Sequence, residues 1–123
     1  MYLYEAKLGK DGEDATEMKL SVDRIVFDSG ASLNYLPKYE YEQLMKKISE
    51  KTKCKESYIQ EEIQVCECDE DSYLEEGTFP VIQIKMGSFF NKHWFYLEPR
   101  HYVQWDYGMR GCQIFIARES YAN

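Results

Sequence analysis

One short stretch holds side chains whose types and spacing could do chemistry: Asp28-Ser29-Gly30-Ala31-Ser32, directly after the apolar run Ile25-Val26-Phe27. A strand that delivers its last residue into a loop of small residues can hold an aspartate partly buried. Neighbouring N–H and hydroxyl groups then set its proton affinity. Gly30 lets the backbone come close to a reacting group or a facing loop. The chemistry on offer is acid–base work by a carboxylate. Taken alone, an Asp-Ser-Gly triplet is an ordinary turn sequence, so its meaning depends on what surrounds it.

The cysteines Cys54, Cys66, Cys68 and Cys112 form a second set. An even count leaves three pairings open. Cys66 and Cys68 are too close for an easy mutual bond, so each is better placed to reach Cys54 or Cys112. Their spacing does not match the C-x2-C and H-x3-H sets of zinc sites. No metal or cofactor is expected. His93 and His101 have no Ser or Cys partner of triad type and read as surface or packing residues. Trp94, Trp105, Met45 and Met86 read as packing residues too. Disulfides imply an oxidising, secretory history. The N-terminus, Met1 to Lys7, lacks the basic start and apolar block of a signal peptide, so the chain is expected to be part of a longer one.

The elements that must position these residues come from one domain's worth of chain, 123 residues. Lys and Arg number 15 against 22 Asp and Glu, a net charge of −7. That balance excludes a phosphate-backbone binder, and no nucleic-acid partner is expected. An apolar fraction of 44% with 15% aromatic residues excludes a disordered tail, and the aromatics favour strands. No apolar run is long enough for a transmembrane helix.

Strands are expected near residues 1–8, 18–22 and 24–27. After Pro37, Tyr41, Leu44, Met45 and Ile48 fall on one helical face. The helix is placed at about 38–50, with Glu40, Glu42, Lys46 and Lys47 at its polar positions. Residues 51–77 read as acidic loop with one short strand at Ile63–Val65. From Phe79, strands return around 81–86, 89–97, 102–105 and 112–117, with turns at Gly87-Ser88 and over 106–111.

The run Ile25 to Pro37 resembles the active-site loop of pepsin-like aspartic proteases: an apolar strand, D-[ST]-G-[TSA]-S, then a proline opening a helix. Cys66 or Cys68 falls where that family's C-terminal lobe has a cysteine, before a strand similar to Phe79-Pro80-Val81-Ile82-Gln83-Ile84. Leu97-Glu98-Pro99-Arg100-His101-Tyr102 resembles its L-x-P-x-x-Y step, and Cys112 resembles the disulfide partner of the earlier cysteine. The ordered set covers about residues 20–117.

The resemblance implies a mostly β fold, one lobe of antiparallel, orthogonally packed sheets with one helix after the active-site loop. It implies that residues 1–123 are a single partial domain, a C-terminal lobe lacking its closing segment. It also implies a secretory, lysosomal, vacuolar or extracellular setting, and a bond from Cys112 to Cys66 or Cys68. Family members pair two aspartates, one from each lobe, about 3 Å apart and sharing one proton. Asp28 matches one of them, with Ser29, Gly30 and Ser32 as loop support. The chain departs from the pattern at Ala31, where many members carry a hydroxyl, and it holds no second D-[ST]-G. The Asp106-Tyr107-Gly108 stretch lacks the hydroxyl and reads as a turn. The implied function is a fragment of an aspartic endopeptidase, inactive alone, whose partners are a second lobe carrying the other aspartate and a peptide substrate. The alternative is a non-catalytic lobe acting as a structural or protein-binding subunit.

Overall fold

The computed structural model describes residues 2–10, 15–21, 34–57, 62–75 and 77–118. These build a mostly β arrangement in two antiparallel four-stranded sheets and one small parallel pair. The first sheet has the order β2-β1-β6-β7, from Thr16–Met18, Tyr2–Leu8, Ile82–Gly87 and Lys92–Leu97. The second has the order β4-β5-β9-β8, from Cys54–Glu56, Gln64–Cys66, Gly111–Ile114 and Val103–Asp106. The pair joins β3 (Asn34–Leu36) to β10 (Ile116–Arg118).

In the first sheet, period-two alternation decides the fold. Leu3, Ala6 and Leu8 of β1 are buried, and they lie opposite Met86, Ile84 and Ile82 of β6. A register shift between Leu3 and Glu5 keeps both halves of β1 facing the core. The helix α1 spans Lys38–Ser49 and buries Leu44 and Ile48, the face its spacing predicts. Pro37 suits the entry to that helix, and its carbonyl accepts the Tyr41 N–H at 2.9 Å. Glu40, expected at a polar helix position, is instead fully buried.

Several other expectations are corrected. A second, one-turn helix α2 covers Pro99–Tyr102, where the resemblance implies only the one helix after the active-site loop. Its start is closed reciprocally, since the Glu98 N–H donates to His101 Nδ1 at 3.0 Å. The expected strand at 112–117 is two strands, β9 and β10, parting at Phe115, whose N–H turns to the Tyr102 carbonyl at 2.7 Å. The β3/β10 pair is parallel, a geometry open to strands separated by a long stretch of chain. Strand β4 lies inside the stretch read as acidic loop, and it pairs with β5 from Cys54↔Cys66 to Glu56↔Gln64. The expected strand at 24–27 lies outside the described residues.

Between the sheets and α1, the core gathers Leu36, Leu44, Ile48, Phe79, Ile82, Tyr102, Ile114 and Ile116. The Tyr102 hydroxyl donates to the Pro80 carbonyl, so this buried phenol has its partner. Burial raises its pKa well above the ordinary phenol value.

Candidate functional site

Asp28, Ser29, Gly30, Ala31 and Ser32 lie outside the described residues, but the two ends of their segment are described. At the near end, the Ser21 N–H donates to Glu40 Oε2 at 3.1 Å, and the Ser21 hydroxyl donates to Glu40 Oε1 at 2.6 Å. Both carboxylate oxygens of a fully buried residue are thereby engaged. A buried carboxylate is costly unless it is hydrogen-bonded, and Ser21 supplies the bonds. At the far end, the Asn34 N–H donates to the Phe115 carbonyl at 3.1 Å, and β3 runs on beside β10. The Tyr35 hydroxyl donates to Glu62 Oε2 at 2.7 Å, and that hydrogen bond, ahead of desolvation and the carboxylate's charge, raises the phenol's pKa. On α1, burial raises the pKa of Tyr41, against a smaller downward pull from Arg118 of β10.

Glu40 is the residue that sequence reasoning misplaced. Its partner lies 19 positions upstream, beyond the reach of helical periodicity. The available signal was its spacing: Glu40 stands four and eight residues before Leu44 and Ile48, on the same helical face, and only its charge argued against burial.

The four cysteines form two disulfides, Cys54–Cys66 and Cys68–Cys112. Between Cys66 and Cys68, the structure joins Cys68 to Cys112. Cys54, Cys66 and Cys112 occupy one row across β4, β5 and β9, with Trp105 of β8 next in line. Two disulfides belong to an oxidising environment.

Asp106 is structural: its Oδ1 accepts the Gly108 N–H at 2.9 Å and its Oδ2 accepts from Gln113 Nε2 at 2.9 Å. Among the described residues no set of three or more His, Cys, Asp or Glu side chains is gathered for a metal ion. The larger described cavity, about 410 Å³, lies between the end of α1 and residues 74–81. Its rim mixes Lys47 and Lys51 with Glu50 and Glu75. Lys51 Nζ donates to the Gly77 carbonyl at 3.0 Å, and Lys47 Nζ to Thr16 Oγ1 at 2.5 Å. Among the described residues no helix is long and apolar enough to cross a membrane.

Comparison with known proteins finds no family model, no curated protein and no solved structure that matches the chain.

Proposed function

We propose that the chain is one lobe of a pepsin-like aspartic endopeptidase, with Asp28 as one member of a catalytic pair completed by a partner lobe. The observation that carries this reading is the anchoring of the segment around Asp28. Ser21 is tied to the buried Glu40 of α1, and Asn34 to Phe115 beside β10. A loop that must face a second loop at close range needs such fixed ends. Other residues of the resemblance also support it. Pro37 opens α1, Cys68 bonds Cys112, and the Leu97–Tyr102 step ends in the buried Tyr102.

In the completed site one carboxylate takes a proton from water as its oxygen attacks the peptide carbonyl carbon. The other, protonated, gives its proton to the carbonyl oxygen. The proton taken from water then passes to the amine as the C–N bond breaks, and one hydroxyl of the intermediate returns its proton to the second carboxylate. Ser29 and Gly30 serve the approach of the two loops. The lone D-S-G favours a second reading, a protease-like lobe that binds without cutting.

The test is hydrolysis of an acid-denatured protein at about pH 3–6, by the purified chain and by the chain recovered with its bound partners. The chain alone should be inactive. The assembly should cut, and Asp28→Asn should abolish cutting. An assembly whose activity survives that change, or whose partner carries no aspartate facing Asp28, overturns the catalytic reading. In an active assembly, Ala31→Thr adds a donor to the charged carboxylate. It should move the pair's pH profile down by about half a unit to one unit.

A further inference from the structure

The hairpin joining β6 to β7 presents the most exposed aromatic surface among the described residues. Ser88 and Asn91 close its tip by exchanging backbone hydrogen bonds of 2.9 and 3.2 Å. Phe89 and Phe90 between them are 77% and 92% exposed. Their rings pack edge to face on each other, with centroids 5.1 Å apart. The tip's geometry is fixed by Gly87, whose φ is +154°. A Cβ there would fall 1.9 Å from the Asn91 carbonyl oxygen.

Behind the tip, cations lie over aromatic rings. Lys92 Nζ is 4.4 Å from the Tyr4 ring centroid. Lys7 and Lys85 reach the Trp94 ring at 5.0 and 5.8 Å. Strands β1, β6 and β7 carry these lysines against one acidic residue, Glu5, which pairs with Lys85 at 3.5 Å. The patch is therefore basic on a chain whose net charge is −7.

We propose that the β6–β7 tip and the lysine–aromatic strip behind it form a peripheral docking surface for an anionic lipid bilayer. Phe89 and Phe90 enter the boundary between headgroups and acyl chains. Tyr4 and Trp94 sit at headgroup level, where amphipathic rings are favoured. Lys7, Lys85 and Lys92 meet the anionic headgroups. Charge complementarity between the lysines and anionic headgroups argues for this occupant, and a second copy of the chain is an outcome the test separates. Of two cavities wide enough to receive the phenylalanines, one sets Lys10, Lys47 and Lys51 against Glu50 and Glu75, and the other Lys53, Lys55 and Arg110 against Glu67, so each carries an excess of cations. They would repel the strip that follows the tip.

The experiment is co-sedimentation of the full chain with phosphatidylserine–phosphatidylcholine vesicles and with phosphatidylcholine vesicles, at low and high salt. Binding should require phosphatidylserine and weaken with salt. Changing Phe89→Ser and Phe90→Ser together removes rings that rest on each other at the surface, so the fold should survive. Affinity should fall roughly tenfold per ring. Lys92→Glu should weaken binding about fivefold or more. Failure to bind anionic vesicles, equal binding to neutral ones, or binding indifferent to the paired Phe change would each overturn the proposal. So would self-association that the Phe change abolishes while vesicles are ignored, since the patch would then be a protein contact. None of these readouts depends on peptide hydrolysis.

Discussion

The sheets β2-β1-β6-β7 and β4-β5-β9-β8 share strand number and antiparallel pairing, yet they are held by different means. The first has strands of seven, six and six residues beside the short β2. It buries Leu3, Ala6, Leu8, Ile82 and Ile84 without any covalent link. The second has strands of only three or four residues, and both disulfides end within it. Strands as polar as Cys54-Lys55-Glu56 bury little apolar area. Cross-linking restricts the unfolded chain and supplies what burial cannot. Where alternation is long the core alone holds the sheet, and where it is short sulfur adds to the burial of Val65, Val103 and Ile114.

The sharpest way to break this comparison is to remove the bonds. Changing Cys68 and Cys112 together to Ser opens a loop of sequence separation 44. That should lower unfolding free energy by about 4 kcal/mol in the chain-entropy account. The same change at Cys54 and Cys66, with separation 12, should cost about 3 kcal/mol. Urea unfolding measures both, and amide exchange should accelerate in β5 and β9 before β1 and β6. If β6 loosens first, the two sheets are not held differently. In the other sheet, Ile84→Ala should cost about 3 kcal/mol by leaving a cavity. Reductant should leave that difference unchanged.

A finer probe is Tyr102, at the seam between the sheets. Tyr102→Phe strands the buried Pro80 carbonyl and should cost about 1–2 kcal/mol at neutral pH. The pH response has a definite sign. Burial raises the folded pKa of Tyr102 above that of the unfolded chain. Its contribution is fully present below the unfolded value of about 10 and is lost as pH climbs beyond it, at up to about 1.4 kcal/mol per pH unit. The Phe variant should be less stable at neutrality and lose stability less steeply in alkali. A parallel decline in both proteins would show that Tyr102 is not the group that matters there.

What the sequence made legible follows the range of the forces involved. Helix α1 was readable from Tyr41, Leu44, Met45 and Ile48 because its pattern is local. Strands β1 and β6 were readable because alternation is local too. Strand β4 was not, because Lys55 and Glu56 are exposed and the strand exists through its register with β5 and the Cys54–Cys66 bond. Glu40 misled through its charge: its spacing to Leu44 and Ile48 puts it on the buried face, but the serine that satisfies it there lies on another segment. The break at Phe115 answers to Tyr102, again a contact at a distance. Of the candidate site, the sequence named Asp28 and its neighbours, and the described structure adds the anchors on either side.

The parallel pairing of β3 with β10 also bears on how the chain comes into being. Among the described residues β3 has no other strand partner. Its mate is synthesised roughly eighty residues later, a separation that slows closure. While the chain emerges from the ribosome, α1 and the first sheet can gather, but Asn34 cannot settle against Phe115 until the strands of both sheets have been made. The far end of the segment carrying Asp28 is thus fastened only after the other described elements have been made.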